Sequence, residues 1–442
     1  MITIGIMTGS SLDGVDAVMT EFGKDNSIRN IDGISLPYTT ELRQNMRVLR
    51  DEITALGSDM EKAAKIPLFK QTLDSYTALL SVAVRELIKK SGVSKKDIAA
   101  IGLHGQTLGE HNPPSVANGG EAFTTQIFDA AKLAKLTGIP VIYDFRSDDI
   151  FNGGEGAPMA PMHNLHLSYS LSRQGMFPVC FINGGNTSNL ALVSSGDSLR
   201  KRVCGYDCGP FNHYVDLLAA AFYGKDFDED GKLAAEGHIN SMLLHDLYHE
   251  SALTAQGDNF FEIMPPKSAG PHLYNMGERL KNYPLAEVDI LRTVTYFAAY
   301  TVFLSLRFLP KDLDFPRYFL MFGGGWRNPF IYWDFINLLT GRSLVLPEHK
   351  AMAEEIRSRL RGEKFHCAMA DEYGFSGRYM EAQIMADMAR CYLEKIKFTS
   401  PEITGCHQGA VCGIICEPGE NTRRKGRGFT YSRAAKGWSK LK

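Results

Sequence analysis

The chain has 442 residues, of which 44% are hydrophobic and 22% charged, a balance that excludes wholesale disorder. At about 150 residues per domain, this length predicts two or three domains. The 48 basic and 50 acidic side chains leave a formal charge of −2. The protein therefore has no strong overall electrostatic field that would attract nucleic acid or an anionic membrane, and we expect neither as a partner.

The N-terminus and the cysteines both indicate a cytoplasmic protein. Residues 1–4 enter a strand-like run at once, without the basic stretch and apolar core of a signal peptide. No apolar run approaches the roughly 20 residues that cross a bilayer. The eight cysteines are too sparse for a disulfide framework and lack a zinc-like spacing, so we expect buried, reduced thiols.

Apolar periodicity predicts strands that alternate with helices along the chain. Two N-terminal strands, 2–7 and 15–21, form a hairpin around a turn rich in Gly and Ser. Helical spacing follows at 41–49 and 60–90, with Gly92 as the stop signal. The later predicted strands are 98–103, 139–145, 178–183, 190–193 and 318–322, and the later helices are 128–137, 211–223, 287–308, 331–339 and 379–395. This alternation predicts an α/β fold with covered sheets.

The first cluster with chemical potential lies in the turn of the N-terminal hairpin. Its residues are Gly9, Ser10, Ser11, Leu12, Asp13, Gly14, Val15 and Asp16. Small residues there allow a polyanion to approach backbone N–H and hydroxyl donors. The Gly-Lys-Ser/Thr ending of a P-loop is missing, so a Walker site is excluded. A plain turn is the alternative, although the two aspartates favour a site.

A second cluster, Gly205–Asn212, joins a strand-like segment to a helix. It places Asp207 at a strand end and Asn212 beside the helix N-terminus. That arrangement suits a general base that faces a nucleotide phosphate. A helix-entry loop with a capping role explains the same pattern, and both interpretations stay open.

A third cluster consists of three consecutive glycines directly after the strand 318–322. They are Gly323, Gly324 and Gly325. Three consecutive glycines lose much backbone conformational entropy on folding, a cost that an ordinary loop rarely requires. Close contact with a flat ligand such as adenine or ribose is the favoured interpretation.

Three more polar groups are candidates, each with a structural alternative. The segment Asp144–Asp149, followed by a Gly-rich loop, suits a polar substrate pocket or an Arg–Asp pair that pins a surface loop. His104 opens a His-Gly-Gln-Thr run at the end of a buried strand, where ligand-facing and structural roles are both open. Glu381 lies early in a helix, where a solvated acid favours the helix dipole. His163 and His166 fit core histidines better than a metal pair.

Together, these clusters resemble the anhydro-N-acetylmuramic acid kinase family of the sugar kinase/Hsp70/actin superfamily, over residues 4 to about 414. Four family segments are present: Gly-Thr-Ser-hydrophobic-Asp-Gly-x-Asp at 9–16 (with Ser10 for Thr), His-Gly-Gln-Thr at 104–107, Asp-Phe-Arg at 144–146 and Gly-Gly-x-Gly-Ala-Pro at 153–158. Others are altered, since Phe211 replaces the second Gly of Phe-Asp-x-Gly-Pro-Gly-Asn and Phe322 replaces the Cys before the three glycines. The segments at Asn183 and Glu381 also depart from the family pattern.

The resemblance implies two ribonuclease H-like α/β lobes with a central cleft for ATP and sugar. Lobe I would comprise residues 1–143 with a returning segment at about 396–416, and lobe II residues 144–395. The strongly basic tail at 420–442 shows no apolar periodicity, and we expect a solvated arm that is dispensable for chemistry.

The resemblance also implies the roles of individual residues in a kinase that uses ATP and Mg²⁺. Asp207 matches the carboxylate that activates water, while Asp13, Arg146, Glu381 and His104 match the sugar side. The hairpin turn 9–16 would bind phosphate, and the other expected nucleotide contacts are Gly184, Gly185, Gly209, Asn212, Gly323, Gly324, Gly325 and Asn328. No metal ligand is assigned.

The expected reaction opens 1,6-anhydro-N-acetylmuramic acid and phosphorylates O6, giving N-acetylmuramic acid 6-phosphate in cell-wall recycling. A levoglucosan kinase with the same mechanism is one alternative. A non-catalytic actin- or Hsp70-like nucleotide-binding protein is another, against which the joint presence of Asp13, Arg146, Asp207 and Glu381 argues. The expected partner is a small anhydro sugar, and the oligomeric state stays open, with a homodimer among the alternatives.

Overall fold

The computed structural model describes residues 1–117, 119–194, 202–362, 364–419 and 430–436. The chain divides into two compact units: unit 1 comprises Met1–Ser170 with Tyr379–Lys442, and unit 2 comprises Leu171–Arg378. Within the described ranges, the helices are all too short or too polar to cross a membrane. The division differs from the expected boundary, because residues 144–170 and 379–395 join unit 1.

The strands and helices follow in chain order. The strands are β1 (Ile2–Thr8), β2 (Gly14–Phe22), β3 (Ile28–Pro37), β4 (Ile98–Asn112), β5 (Phe123–Ile127), β6 (Val141–Tyr143), β7 (Val179–Gly184), β8 (Thr187–Val193), β9 (Val203–Pro210), β10 (Tyr318–Phe322), β11 (His366–Met369) and β12 (Ile414–Cys416). The helices are α1 (Thr40–Ala55), α2 (Met60–Ala63), α3 (Pro67–Ser91), α4 (Pro114–Ala117), α5 (Ala130–Thr137), α6 (Phe145–Phe151), α7 (Ala160–Ser172), α8 (Asn212–Tyr223), α9 (Ser241–Glu250), α10 (Gly277–Lys281), α11 (Glu287–Ser305), α12 (Pro329–Thr340), α13 (Lys350–Leu360), α14 (Met380–Glu394) and α15 (Pro401–Thr404).

Local sequence explains where several of these elements begin and end. Helix α3 ends at Gly92, whose φ of 68° lies in the left-handed region, as the sequence predicts. The region predicted as one helix over 60–90 is divided, because Pro67 opens α3 as a new helix. The strand expected to reach residue 145 ends at Tyr143, because Asp144 adopts a φ of 59° and turns the chain into α6.

Among the described residues, unit 1 is built on a mixed sheet in the order β12-β6-β4-β1-β2-β3, with β5 paired to β4. Strands β1, β2 and β3 form an antiparallel meander. Strands β4 and β6 extend the sheet in parallel with β1. Unit 2 repeats this pattern: β7, β8 and β9 form the meander, and β10 and β11 are the parallel strands. Two sheets of one topology confirm the expected pair of ribonuclease H-like lobes.

The two faces of the unit 1 sheet are covered by different helices. Successive residues of a strand point to opposite faces, and Ile4 and Ile6 contribute to the core formed with α1, α3 and α5. On the other face, Thr3 Oγ1 donates to Ala386 O of α14 at 2.8 Å. Side chains of α14, Met385 among them, form a second core there with Ile142 of β6.

Helix α14 approaches the central strands where they carry glycine. A Cβ at Gly5 would lie 1.8 Å from Ala382 O, and one at Gly102 would lie 2.0 Å from Met385 O. No side chain fits at such distances, so both positions require glycine. This contact is the physical reason that residues 379–395 belong to unit 1 rather than to the second lobe.

The expectation of a solvated C-terminal arm is wrong for residues 430–436. Tyr431 pairs with Ile127 at the end of β5, and Ser432 donates its backbone N–H to Gln126 O at 3.0 Å. Ser432 is fully buried, and Arg433 is largely so. Residues 420–429 and 437–442 lie outside the described residues. The described part of the tail is therefore an integral part of unit 1.

Arg433 pairs with two carboxylates at the start of α6, those of the buried Asp144 and the partly buried Asp148. Its Nε donates to Asp144 Oδ2 at 2.6 Å, and its Nη2 donates to Asp148 Oδ1 at 2.9 Å. Burial raises the pKa of Asp144 to about 6, against the opposing effects of Arg433 and Ser147. Since the pKa is raised in the folded state, the contribution of this carboxyl to stability is present below its ordinary pKa of 3.8 and is lost as the pH rises through 6.

Replacing Arg433 with Met is expected to lower the free energy of unfolding by about 3 kcal/mol at pH 7.5, because a buried carboxylate then lacks its cation. The loss should be smaller at pH 5, where Asp144 is protonated. Chemical denaturation at both pH values measures this. Arg29→Met is the control, since Arg29 pairs with Glu21 on the surface and should matter by less than about 1 kcal/mol. Equal losses for the two variants would contradict the assignment.

Candidate active site

In unit 2, the carboxylate of Asp207 is buried near the end of β9 and is held by two donors. Ser268 Oγ and Ala269 N both lie 2.9 Å from Asp207 Oδ2. The backbone N–H of Asp207 in turn donates to Lys267 O at 3.1 Å. These bonds fix the orientation of the carboxylate, which a general base requires. The donors come from about sixty residues further along the chain, and the sequence analysis did not identify them.

Lys267 stabilises the segment that supplies these donors. Its Nζ donates to Phe260 O at 3.0 Å and lies 4.6 Å from the ring centroids of both Phe260 and Phe308. The side chain is fully buried, and this burial lowers the pKa of Lys267 to about 7. The short run Lys267-Ser268-Ala269-Gly270, directly after two prolines, is the sequence feature that marks the segment.

An aromatic pair packs beside the glycines at the ends of β7 and β10. The rings of Phe211 and Trp326 lie 4.9 Å apart, and both side chains are buried. A Cβ at Gly184 would lie 2.5 Å from the Phe211 ring, and one at Gly325 would lie 2.6 Å from it. Phe211 adopts a φ of −119°, so the replacement of glycine at this position needs no left-handed backbone.

Other expected nucleotide contacts also have structural roles. Gly209, with a φ of 130°, lies against the Phe261 ring, and Gly323, with a φ of 93°, lies against Asn183 and Gly184. Asn328 caps α12 by accepting a hydrogen bond from Phe330 N at 3.0 Å. These positions are therefore explained by packing and capping without a ligand.

Two of the glycines expected to contact the nucleotide, Gly185 and Gly324, remain open. A Cβ at Gly324 would meet no atom within 4 Å, and one at Gly185 would meet only Thr187 O at 3.7 Å. Asn212 N donates to Gly185 O at 3.0 Å, which ties this loop to the start of α8. The geometry therefore leaves the backbone at Gly185 and Gly324 accessible to a close-fitting ligand.

In unit 1, the turn between β1 and β2 is fixed by a buried side chain, while the polar residues at its tip are exposed to solvent. Leu12 adopts a φ of 59° and buries its side chain, while Ser11 and Asp13 are exposed. Ser11 Oγ donates to Asp13 Oδ1 at 2.8 Å, and Gln106 Nε2 donates to Gly9 O at 3.0 Å. A buried leucine in the left-handed region costs about 1–2 kcal/mol, so the core dictates the shape of this turn.

The rest of the turn 9–16 lies in or beside β2. Ser10 is half-buried, and Val15 is part of the apolar core. A Cβ at Gly14 would lie 2.3 Å from Leu36 O, so close strand packing explains that glycine. Ser35 Oγ donates to Asp16. The exposed polar groups of the segment are thus those of its tip.

The structure brings His104 and Arg146 into direct contact. Arg146 Nε donates to His104 Nε2 at 3.1 Å, and Arg146 Nη1 donates to Gly156 O at 2.8 Å. His104 Nδ1 lies 2.8 Å from Gly105 O, so this nitrogen carries the proton and Nε2 is the acceptor. Burial and then the charge of Arg146 lower the pKa of His104 to about 3, which keeps the ring neutral.

Helix α6, which carries Arg146, is anchored by Asp144 at its N-terminus and by Asp148 and Asp149 within it. Asp144 and Asp148 bind Arg433, as described above. Asp149 accepts hydrogen bonds from Thr404 Oγ1 at 2.6 Å and from Gly156 N at 2.7 Å. The cation that pairs with Asp144 is therefore Arg433. An Arg–Asp pair does fix this segment, but its arginine comes from the C-terminal part of the chain.

Glu381 is half-buried in the first turn of α14. The helix runs antiparallel to β1, since Ala382 lies over Gly5 and Ala386 over Thr3. Its first turn therefore lies toward the carboxyl end of β1, from which the turn 9–13 departs. This places Glu381 on the same side of unit 1 as Asp13.

His163 and His166 belong to a buried polar network, in line with their interpretation as core histidines. Both Nδ1 atoms contact Asp387 Oδ2, at 2.8 and 2.6 Å. Arg390 Nη2 donates to the other oxygen of Asp387 at 2.7 Å. Burial alone would raise the pKa of Asp387, but the contacts with His166 and His163 hold it well below its usual range.

Comparison with known proteins identifies relatives along almost the whole chain. The sequence profile of the anhydro-N-acetylmuramic acid kinase family matches residues 1–418. Anhydro-N-acetylmuramic acid kinase of Nitrobacter winogradskyi is 30% identical over 95% of this chain and 100% of its own length. The enzyme of the same name from Prochlorococcus marinus is 31% identical over 95% of this chain and 100% of its own.

Among solved structures, the ROK hexokinase of Thermus thermophilus matches 88% of this chain and 99% of its own, with 16% identity and a TM-score of 0.36. A score this low carries no weight, and the fold assignment rests on the strand order of the two sheets. The profile match and the full-length relatives decide the family. The chain belongs to the anhydro-N-acetylmuramic acid kinase family of sugar kinases.

Proposed function

We propose that this protein converts 1,6-anhydro-N-acetylmuramic acid, water and ATP into N-acetylmuramic acid 6-phosphate and ADP. The observation that carries the proposal is the buried, doubly hydrogen-bonded carboxylate of Asp207, in a chain that matches the family over residues 1–418. A cytoplasmic location belongs to the same proposal and agrees with the eight cysteines, all of which are free thiols.

The proposed chemistry begins at Asp207. Its carboxylate takes a proton from water, and the water oxygen forms a bond to the anomeric carbon of the sugar. The bond between that carbon and O6 breaks, and O6 then bonds to the γ-phosphorus as the bond to the β-phosphate oxygen breaks. The proton held by Asp207 leaves to solvent. Ser268 and Ala269 keep the carboxylate oriented throughout.

Unit 1 is proposed to bind the sugar through Asp13, Arg146 and Glu381. Arg146 suits this role because His104 and Gly156 fix its guanidinium through separate nitrogens. A preorganised Arg binds a carboxylate or hydroxyl without losing further side-chain entropy. His104 is thus a positioning residue for Arg146 in this proposal, rather than the direct sugar ligand that the resemblance implies.

In unit 2, the open glycines Gly185 and Gly324 are the proposed nucleotide contacts. In unit 1, the tip of the turn 9–13 is by itself a proposed phosphate contact. Backbone N–H groups without a neighbouring Cβ suit phosphate oxygens, and these positions offer that feature. Mg²⁺ neutralises phosphate charge in phosphoryl transfer and binds chiefly phosphate oxygens with one or two carboxylates. The exposed carboxylate of Asp13, at the tip of the turn 9–13, has the chemistry that would hold such an ion.

An ADP-release assay tests the reaction as a whole. The sugars compared are 1,6-anhydro-N-acetylmuramic acid, levoglucosan and N-acetylmuramic acid, with a sample without sugar. The proposal expects turnover with the first and little with the others. Turnover of levoglucosan alone would identify the other anhydro sugar kinase, and nucleotide binding without turnover of any sugar would favour a non-catalytic protein.

Asp207→Asn is expected to reduce turnover by at least about 100-fold while ATP still binds, because the base is lost with little change in shape. Coupled ADP release measures turnover, and calorimetric titration measures ATP binding. Asp312→Asn, at an exposed carboxylate of the same unit, is the matched control and should leave both unchanged. If the activity of Asp207→Asn stayed within a few-fold of that of the parent protein, Asp207 would not be the general base.

His104→Phe is expected to weaken sugar binding by about 10-fold or more, because a hydrogen bond to a charged group is lost and Arg146 is released. The affinity for ATP should change by less than about two-fold. His104→Gln, which keeps an acceptor, should restore part of the sugar affinity. Separate titrations with sugar and ATP check the split, and an equal loss for both ligands would refute the positioning role.

The route of oxygen distinguishes this mechanism from that of a kinase that deprotonates an existing hydroxyl. In ¹⁸O-labelled water, the label should enter the product at the anomeric carbon and be absent from the phosphate ester. Prompt mass spectrometry, with a control for exchange through the open-chain aldehyde, measures this. Turnover without label at the anomeric carbon would mean that Asp207 does not activate water.

A further inference from the structure

An exposed cluster in unit 2 has the composition of a transition-metal site. His245 and His249 lie four residues apart on α9 and therefore on one face of that helix. Glu348 lies in the 3₁₀ turn Pro347–His349, which leads into α13. One ligand atom from each of the three residues lies within 4.8 Å of the other two.

The spacing of the three groups fits a tetrahedral ion. The Nε2 atoms of His245 and His249 lie 3.9 and 3.7 Å from the same oxygen, Glu348 Oε1. These separations are too long for hydrogen bonds. Ligands bound to Zn²⁺ at its usual distances lie about 3.4 Å from one another at the edges of a tetrahedron. Small side-chain rotations therefore suffice to bring all three onto one ion.

The surroundings orient the ligands. Nδ1 of His245 lies 3.5 Å from Asp246 Oδ1, so that its Nε2 is the nitrogen on the side of Glu348. Asp246 is itself held by Arg279 at 2.6 Å and by the hydroxyl of Tyr283 at 2.9 Å. A carboxylate behind a ligating imidazole, fixed in this way, is the usual outer partner of a metal-bound histidine.

Buried contacts beneath the cluster fix the distance between the two elements that carry it. The rings of Tyr248 and His349 lie 4.1 Å apart, and Tyr300 OH lies 2.8 Å from His349 Nδ1. His349 is buried, whereas its neighbour Glu348 is exposed.

We propose that His245, His249 and Glu348 bind a divalent transition metal, with Zn²⁺ as the best match and water in the fourth position. Two imidazoles and one carboxylate are a ligand set that Zn²⁺ prefers, and the exposure of all three side chains allows the ion to enter from solvent. The ion links α9 to the start of α13, two elements that both pack on α11. Its role in this position is to clamp the helical layer of unit 2.

Titration of the complete, tag-free chain with Co²⁺, a spectroscopic substitute for Zn²⁺, tests the proposal. We expect one Co²⁺ per chain, with the visible absorption of four-coordinate cobalt, and its displacement by Zn²⁺. His249→Gln and Glu348→Gln should each weaken Co²⁺ affinity by roughly 10-fold or more, since even outer partners of metal ligands contribute that much. Zn²⁺ should raise the unfolding midpoint of the parent protein more than that of His249→Gln.

His238→Gln is the matched control, because His238 is an exposed imidazole of the same unit that lies 3.6 Å from one carboxylate, Asp289. This variant should bind Co²⁺ as the parent does. Equal affinity in the parent and His249→Gln would overturn the proposal. Strong thiolate-to-cobalt absorption would also overturn it, since the ion would then occupy a cysteine-containing group such as His166, Asp387 and Cys391. Neither readout depends on the proposed sugar kinase reaction.

Discussion

The architecture of unit 1 depends on one steric constraint, the approach of the α14 backbone to the central strands. At Gly5 and Gly102 the helix lies where any Cβ would have to be, so helix and sheet meet backbone to backbone. The hydrogen bond from Thr3 to Ala386 then sets the position of the helix along the strand. Because interiors are close-packed, a helix that is fixed this tightly also fixes its first turn, where Glu381 lies.

In unit 2, glycines make room for aromatic side chains rather than for the backbone of a helix. Gly184 and Gly325 admit the rings of Phe211 and Trp326, which fill the space beside the ends of β7 and β10. The ring of Phe211 thus fills space inside unit 2 beside these glycines. Among the glycines expected to contact the nucleotide, Gly185 and Gly324 are the two that keep their backbone clear of this packing.

Among the strands, sequence reasoning predicted those with a clear apolar run and missed β3 and β5, which lack one. The strand Tyr318–Phe322 was predicted to the residue, because five consecutive apolar side chains are bounded by clear breaks. Strand β3 was missed, since its residues are mostly half-buried and carry no apolar alternation. Strand β5 was missed as well, because three of its five buried residues are polar.

The same limit applies to the candidate site. Motifs singled out Asp207 and Arg146 as candidates, since glycine-rich turns and charged strand ends are local features. Their partners come from distant parts of the chain: Ser268 is 61 residues from Asp207, and Arg433 is 289 residues from Asp144. No local pattern encodes such pairings. For this reason a basic segment that reads as a solvated arm contains residues buried in unit 1.

The anchoring of α6 has a consequence for the biosynthesis of the protein. The three aspartates that anchor this helix bind Thr404, the backbone of Gly413 and Arg433, all of which follow unit 2 in the chain. On the ribosome, unit 2 is therefore fully translated while unit 1 still lacks α14 and the partners of α6. Residues 1–170 therefore lack these partners of the three aspartates until Arg433 has been synthesised. Order of synthesis and order of completion are thus reversed for the two units.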